Sequence, residues 1–197
     1  MTKEEARQLI THHLSRYGEV ELIEEATEEY DFGWVFYYQS KAYLDTGDNN
    51  EFLCGNAPCI VDRERGEIIE TGTAFPIEDY IKAYRACGDP HGEPTGSVAI
   101  FGFSHQKETN KAIRLVHQIC QTGLSEAKLI IDGVLGGDRK TIDTRDRDEA
   151  AKLERALNDL GFKAQQVYEV IEMQSRGGSH GDIEVLDEDW DFIEDDN

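Results

Sequence analysis

The chain has 197 residues and a formal net charge of −21, and 39% of its residues are hydrophobic while 31% are charged. This apolar content is sufficient for the core of one domain or of two small ones. The negative charge repels phosphate backbones and argues against binding to nucleic acid, whereas it favours encounter with a basic protein.

The N-terminal stretch MTKEEARQLITHHL has no apolar core of the kind found in export signals. No apolar stretch approaches the roughly 20 residues that a membrane-spanning helix needs. We therefore expect a cytoplasmic protein without a membrane partner. In that compartment the four scattered cysteines should be reduced thiols.

The first predicted element is a helix that begins at a capping box formed by Thr2 and Glu5. Gly18 is well placed to end it. Its apolar positions recur at helical spacing: Ala6, Leu9, Ile10, His13, Leu14 and Tyr17.

An alternating stretch at residues 20–22 and the aromatic run FGWVFYYQS, which starts at Phe32, predict strands. In the run, period two places Phe32, Trp34, Phe36 and Tyr38 on one face and Val35 and Tyr37 on the other. Because both faces are apolar, we expect a central strand. The run is either sheet core alone, or core whose tyrosines emerge at a protein-binding face.

Residues 59–62 and 67–71 are predicted strands joined by a tight turn, with Gly66 at a position of positive φ. Pro76 then suits the first turn of a helix. The apolar stripe of that helix is Ile77, Tyr80, Ile81 and Tyr84.

Residues 89–97 are rich in Gly, Pro and Asp and are predicted to be a linker. A second unit at 98–173 opens with the strand VAIFGF and shows the element order β-α-α-β-α-β. In it we expect Ser125 to cap a helix whose start is held by a hydrophobic staple between Leu124 and Leu129.

The chain closes with an acidic tail at 174–197, in which residues 176–197 hold nine carboxylates and one basic side chain. The tail either keeps the protein in solution or, through Trp190 and Phe192, docks on the chain's own domains or on a basic partner. The predicted fold class is α+β, with domains at 1–88 and 98–173.

No pattern for catalysis, metal binding or a cofactor emerges from the sequence. His12 and His13 are adjacent and point about 100° apart on a helix, so they cannot form a ligand pair. Cys54 and Cys59 flank a turn, but no second pair completes a zinc site. IDGVLGGDRK (131–140) lacks the spacing of a phosphate-binding loop. We therefore predict a binding protein without cofactor or metal, not an enzyme.

Three stretches of the first unit, DFGWVFYYQSKAYLDTGD, GNAPCIVDRERGEI and TGTAFPIEDYIKAY, together resemble the immunity protein 35 family, the YrhB-like domains of bacterial polymorphic-toxin systems. The resemblance covers nearly all of residues 1–86. It implies a small α+β domain without catalytic residues, which neutralises a toxin encoded beside it.

The second unit is similar to the C-terminal domain of the bacterial ribosomal stalk protein, best in TGLSEAK (122–128). That domain presents a basic and apolar surface to translation GTPases. The resemblance places a corresponding adaptor surface at Ile113, Arg114 and Lys128.

Our leading hypothesis is an immunity protein that occludes a cognate, basic toxin. The alternative is a chaperone-like or translation-associated adaptor that binds a translation factor or the ribosome through the second unit. The predicted toxin-binding residues are Trp34, Tyr37, Tyr38, Trp190 and Phe192.

Overall fold

A computed structural model describes residues 1–170 of the chain, which form helices and antiparallel sheets and confirm the α+β class. The first unit contains α1 (Lys3–Leu14), β1 (Val20–Leu22), β2 (Glu28–Glu29), β3 (Gly33–Phe36), β4 (Tyr38–Ser40), α2 (Lys41–Thr46), β5 (Cys59–Asp62), β6 (Ile68–Glu70) and α3 (Ile77–Cys87). The second contains β7 (Glu93–Phe103), α4 (Thr109–Ile119), α5 (Leu124–Leu135), β8 (Lys140–Asp143), α6 (Arg147–Asp159) and β9 (Phe162–Glu169). The β-α-α-β-α-β order is thus observed.

Helix α1 begins as predicted. The Thr2 hydroxyl accepts a hydrogen bond from the Glu5 amide, and the Glu5 carboxylate accepts one from the Thr2 amide. Its buried residues, Ala6, Ile10 and Leu14, cover one face of the sheet that holds Trp34 and Phe36.

Strand β3 lies between β2 and β5 in the sheet order β2-β3-β5-β6, so the central position predicted for the aromatic run is confirmed. All four of its residues are buried. Gly33 allows the close approach to β5, because a Cβ at this position would lie 2.0 Å from the carbonyl oxygen of Val61.

The aromatic run differs from the prediction in two ways. It is not one strand, because the chain leaves this sheet after Phe36 and Tyr38 begins β4, which pairs with β1. Phe32 faces α3 and not the Trp34 side, since Gly33 with φ 151° interrupts the alternation. There the Phe32 ring packs edge to face on Tyr84, with centroids 5.1 Å apart.

Asp62, at the end of β5, joins the β5–β6 turn to helix α3. Its carboxylate accepts hydrogen bonds from the amides of Glu64 and Arg65, each at 2.8 Å, and from the Tyr84 hydroxyl. Burial alone would raise the pKa of Asp62, but these hydrogen bonds outweigh it and hold the pKa below its usual value. Gly66 lies in the same turn and has a φ of 67°, so the predicted positive φ is confirmed.

In the second unit a three-stranded sheet of order β8-β7-β9 packs one face on the helices. The fully buried residues of this core include Val98, Ile100, Val116, Ile131, Leu153 and Leu157.

Two details of the second unit correct the prediction. Strand β7 begins at Glu93, with a register irregularity between Pro94 and Val98 that accommodates the proline, so part of the predicted linker is strand. Helix α5 is capped at Gly123 instead of Ser125. Leu124 and Leu129 are 55% and 71% exposed and form no staple.

The two units meet where α3 packs against β9. Lys82 on α3 pairs with Glu154 on α6 at 3.0 Å, and its Nζ lies 5.9 Å from the centre of the Tyr168 ring. The domain boundary at residue 88 stays a prediction.

We predict that Tyr84→Phe lowers the free energy of unfolding by about 1.5–3 kcal/mol at pH 7, because it removes a buried hydrogen bond to an ionised carboxylate. Since the pKa of Asp62 is depressed in the folded state, its contribution is present above the unfolded value of about 3.9 and is lost as the pH falls. Urea unfolding at pH 7 and pH 3 should therefore show a smaller penalty at the lower pH.

Tyr80→Phe on the same helix is the matched control, because Tyr80 is equally buried but makes no hydroxyl hydrogen bond within residues 1–170. Equal penalties for the two variants would contradict the role of Asp62.

Candidate functional site

A pocket of about 240 Å³ opens beside β4 in the first unit and brings two of the predicted contact residues together. We call it the aromatic pocket. Its walls are Ile23, Tyr37, Tyr38, Gln39, Tyr43, Leu44, Phe52, Asn56, Ala57 and Pro58.

Pairing with β1 holds the β4 wall of the pocket. Leu22 lies opposite Tyr38 in the antiparallel ladder, and the Ile23 amide donates to the Tyr37 carbonyl at 2.8 Å. Tyr38 is 8% exposed and packs with Trp34 and Phe36, whereas Tyr37 is half-buried on the α3 side of the sheet. The break after Phe36 therefore places two consecutive tyrosines in different surroundings at one pocket.

Buried Gln39 holds the opposite wall, the segment 52–58. Its Oε1 accepts hydrogen bonds from the amides of Leu53 at 2.6 Å and Ser40 at 2.7 Å, and its Nε2 donates to the Leu53 carbonyl at 3.3 Å. The Asn56 side chain adds a hydrogen bond to the Tyr38 carbonyl. These side chains connect a segment without regular structure to β4.

Helix α2 completes the pocket. The Ser40 hydroxyl caps it by accepting from the Tyr43 amide at 3.1 Å and also donates to the Glu51 carbonyl. Tyr43 then meets Phe52 edge to face, with ring centroids 4.9 Å apart. Leu44 and Phe52 remain 41% and 45% exposed, so the pocket mouth offers apolar surface to a partner.

An acidic rim borders this site. Residues 19–31 hold seven carboxylates and no basic side chain. Four of the carboxylates pair with cations from elsewhere in the fold, as Glu24 does with Arg7 and Glu29 with Arg63. Glu19, Glu25 and Glu28 have no such cation within residues 1–170 and leave the rim negative.

The tyrosine hydroxyls near the rim are neutral donors. Tyr37 lies 3.5 Å from a Glu28 oxygen, and Tyr30 donates to the same carboxylate. Burial, followed by the Glu28 charge, raises the pKa of Tyr37. Burial and the hydrogen bond to Glu28 raise the pKa of Tyr30 to about 12. Both phenols are therefore protonated at neutral pH.

A second hollow of about 330 Å³ lies on the other side of Tyr38 and contains Cys54 and Cys59. Burial, followed by the charge of Glu70, raises the pKa of Cys59 to about 12, so this thiol is not an activated nucleophile. Glu70 accepts hydrogen bonds from His13 at 2.9 Å and Tyr17 at 3.1 Å. These hydrogen bonds connect the C-terminal end of α1 to β6.

Trp34, another predicted toxin-binding residue, does not line the aromatic pocket. Trp34 is 2% exposed and its ring is covered by Arg63, whose Cζ is 4.6 Å from the ring centre. Such burial gives Trp34 a part in supporting the pocket and opposes direct contact with a partner. Trp190 and Phe192 lie outside the described residues.

The predicted adaptor residues lie on α4 and α5. Ile113 is half-buried against the core, Arg114 is exposed, and Lys128 pairs with Asp132 one turn along α5. The exposed Leu124 and Leu129 also lie on α5.

Sequence reasoning missed Gln39, Tyr43, Leu44 and Phe52. Leu44 and Phe52 flank TGDNN (46–50), whose residue types are typical of a loop, and large apolar residues beside such a loop are an unusual feature that could have identified them. A buried glutamine that positions a loop leaves no such pattern.

Residues 1–170 hold no group of three or more His, Cys, Asp or Glu side chains placed to bind a metal ion. Among the helices of this part of the chain, none is long and apolar enough to cross a bilayer.

The aromatic pocket lies in the part of the chain that matches a known protein family. Residues 4–86 match the immunity protein 35 family. "Uncharacterized protein YrhB" of Escherichia coli (strain K12) is 46% identical over 52 residues, which are 26% of this chain and 55% of that protein. The chain thus spans about half the length of this relative. No solved structure matches the chain.

The matched region contains every residue of the aromatic pocket. Proteins of this family are generally not enzymes. The comparisons do not support the resemblance of the second unit to the ribosomal stalk protein, which stays a prediction.

We predict that Gln39→Ala frees the segment 52–58 without unfolding the sheet. The Leu53 amide should lose its protection against hydrogen exchange by about tenfold or more, because its buried acceptor is removed. The control is Gln8→Ala on the exposed side of α1. Unchanged exchange at Leu53 in the Gln39 variant would show that the segment is held by other contacts.

Proposed function

We propose that the protein acts in the cytoplasm as an immunity protein, which binds a cognate toxin through the aromatic pocket and the acidic rim. The observation that carries this proposal is the match of residues 4–86 to the immunity protein 35 family, a region that contains the whole pocket. Neutralisation then requires no bond-making step, because a bound protein of this size shields the toxin surface from its target.

The pocket supplies the anchor of the proposed complex. Aromatic side chains in desolvated pockets account for most of the binding energy at protein interfaces, and tyrosine is among the residues enriched there. Phe52 and Leu44 form the accessible edge, while Tyr37 and Tyr38 line the interior. An apolar side chain of the toxin that enters this pocket would bury surface on all sides.

The rim supplies attraction at a distance. Three carboxylates without a paired cation next to an apolar pocket favour a toxin surface rich in lysine or arginine. Charge complementarity of this kind raises the association rate and is weakened by salt, whereas the desolvated anchor sets the dissociation rate. The basic character of the toxin was predicted from the net charge of −21, and this arrangement supports it.

The proposal predicts that Phe52→Ala weakens the complex with the toxin encoded beside the gene. The loss of an aromatic anchor should cost about 2 kcal/mol, which raises the dissociation constant about 30-fold. Co-expression and co-purification, followed by titration of the purified complex, measure the effect.

Phe75→Ala is the matched control, because Phe75 is 66% exposed in the same family region but lies outside the aromatic pocket. If the neighbouring toxin remains toxic on co-expression with the unaltered protein and does not co-purify with it, the proposed function is wrong. If both phenylalanine variants bind equally well, the pocket is not the contact.

A second candidate function is the chaperone-like or translation-associated adaptor, and the exposure of Leu124 and Leu129 near Lys128 favours it. Apolar side chains at 55% and 71% exposure on one helix are typical of a contact surface. On this hypothesis Arg114→Glu and Lys128→Glu should abolish capture of ribosomes or elongation factors in a pull-down. No enrichment by the unaltered protein would reject it.

A further inference from the structure

A cluster of two cations and an aromatic ring lies on the second unit, on a protein whose overall charge is strongly negative. We call it the basic aromatic patch; its members are Phe101, Arg139 and Lys163. Phe101 is 47% exposed at the end of β7.

The sheet register brings Phe101, Arg139 and Lys163 together on the face of the sheet away from the core. Lys140 of β8 pairs with Ile100, so the preceding residue Arg139 comes beside Phe101, with its Cζ 5.8 Å from the ring centre. On the other side of β7, Lys163 of β9 pairs with Gly102. Phe101 thus lies between two cations across the three strands.

Another cation, Lys107, lies beyond the end of the same strand and outside the patch. Its Nζ is 4.4 Å from the centre of the Phe103 ring, and Phe103 pairs with the core residue Phe162, so this ring lies on the core face of the sheet. None of Lys107, Arg139 and Lys163 has a carboxylate oxygen within 4.0 Å in residues 1–170, whereas nearby Lys111 and Lys140 pair with Glu108 and Asp138. The patch therefore keeps the two uncompensated positive charges of Arg139 and Lys163 beside the exposed Phe101 ring.

We infer that residues 182–193 of the same chain bind the basic aromatic patch. This segment, DIEVLDEDWDFI, contains six carboxylates, no basic side chain, and both Trp190 and Phe192. Carboxylates complement the two cations of the patch, and aromatic side chains stack on exposed rings and guanidinium groups.

The length of the chain permits this contact. Lys163 and Val170 are separated by seven strand residues, which is about 23 Å. The twelve residues 171–182 reach up to about 40 Å. A tethered segment also meets its site at an effective concentration in the millimolar range.

Other acidic occupants are at a disadvantage. Single-stranded nucleic acid would also suit exposed rings flanked by cations, but the charge of −21 repels its phosphates. The tethered segment needs no bimolecular association step, and its carboxylates neutralise the same cations. The patch lies on the second unit, so the inference does not depend on toxin binding at the aromatic pocket.

Acrylamide quenching of tryptophan fluorescence in the full-length protein tests the contact. The chain has two tryptophans, and Trp34 is 2% exposed, so the quenchable emission comes from Trp190. The double variant Arg139→Glu with Lys163→Glu should raise the quenching constant at least about twofold, because release of the segment exposes the indole. About 0.5 M NaCl should raise it in the unaltered protein, since salt screens the attraction.

Lys152→Glu with Arg155→Glu is the matched control, because it makes the same change of charge at exposed positions on α6. Its quenching constant should equal that of the unaltered protein. Equal quenching constants in all three proteins would overturn the inference. So would binding of a labelled single-stranded oligonucleotide that the Arg139 and Lys163 substitutions abolish while tryptophan quenching stays unchanged.

Discussion

Strand β3 is the constraint on which the rest of the first unit depends. It is buried on both faces and paired on both edges, with β2 and with β5. Gly33 removes the side chain that would collide with the Val61 carbonyl. Because β3 is held on both faces and both edges, the chain leaves it after Phe36 from a well-defined position, and β4, α2 and the segment 52–58 follow from there.

The aromatic pocket is a consequence of that departure. Tyr37 and Tyr38 follow the end of a rigid strand, and Gln39 satisfies its polar groups by binding the backbone of the segment that carries Phe52. The acidic rim lies on the stretch that leads into β2 and β3. Strand β3 thus supports both the aromatic pocket and the acidic rim. Together they offer the apolar contact and the negative charge that suit recognition of a basic protein surface.

Charge is distributed unevenly over the fold. In the first unit every basic side chain except Lys3 pairs with a carboxylate, so the surplus carboxylates there determine the potential. In the second unit, Lys107 and Arg139 lie over aromatic rings instead. Although the net charge is −21, the protein has two surfaces of opposite charge. The acidic rim suits a basic partner, and the basic aromatic patch suits an acidic segment.

Periodicity and capping signals predicted most of the helices and strands, but not α2 or β2, and they placed the cap of α5 at the wrong residue. The capping box of Thr2 and Glu5, the turn at Gly66 and the stripe of α3 depend on residues close in sequence. The predictions for the face of Phe32 and for the start of β7 were wrong. The effects of Gly33 and of the irregularity at Pro94 depend on pairing with strands that are distant in sequence. Of the candidate site, Tyr37 and Tyr38 were identified, whereas Gln39 and Phe52 depend on a contact between β4 and a segment 14 residues away.

The most direct test of the proposed toxin recognition by the first unit is amide hydrogen exchange, measured on the protein alone and in complex with the proposed toxin. The account predicts that protection gained on binding is concentrated in residues 19–31 and 37–58. Protection confined to the second unit, with these segments unchanged, would contradict it.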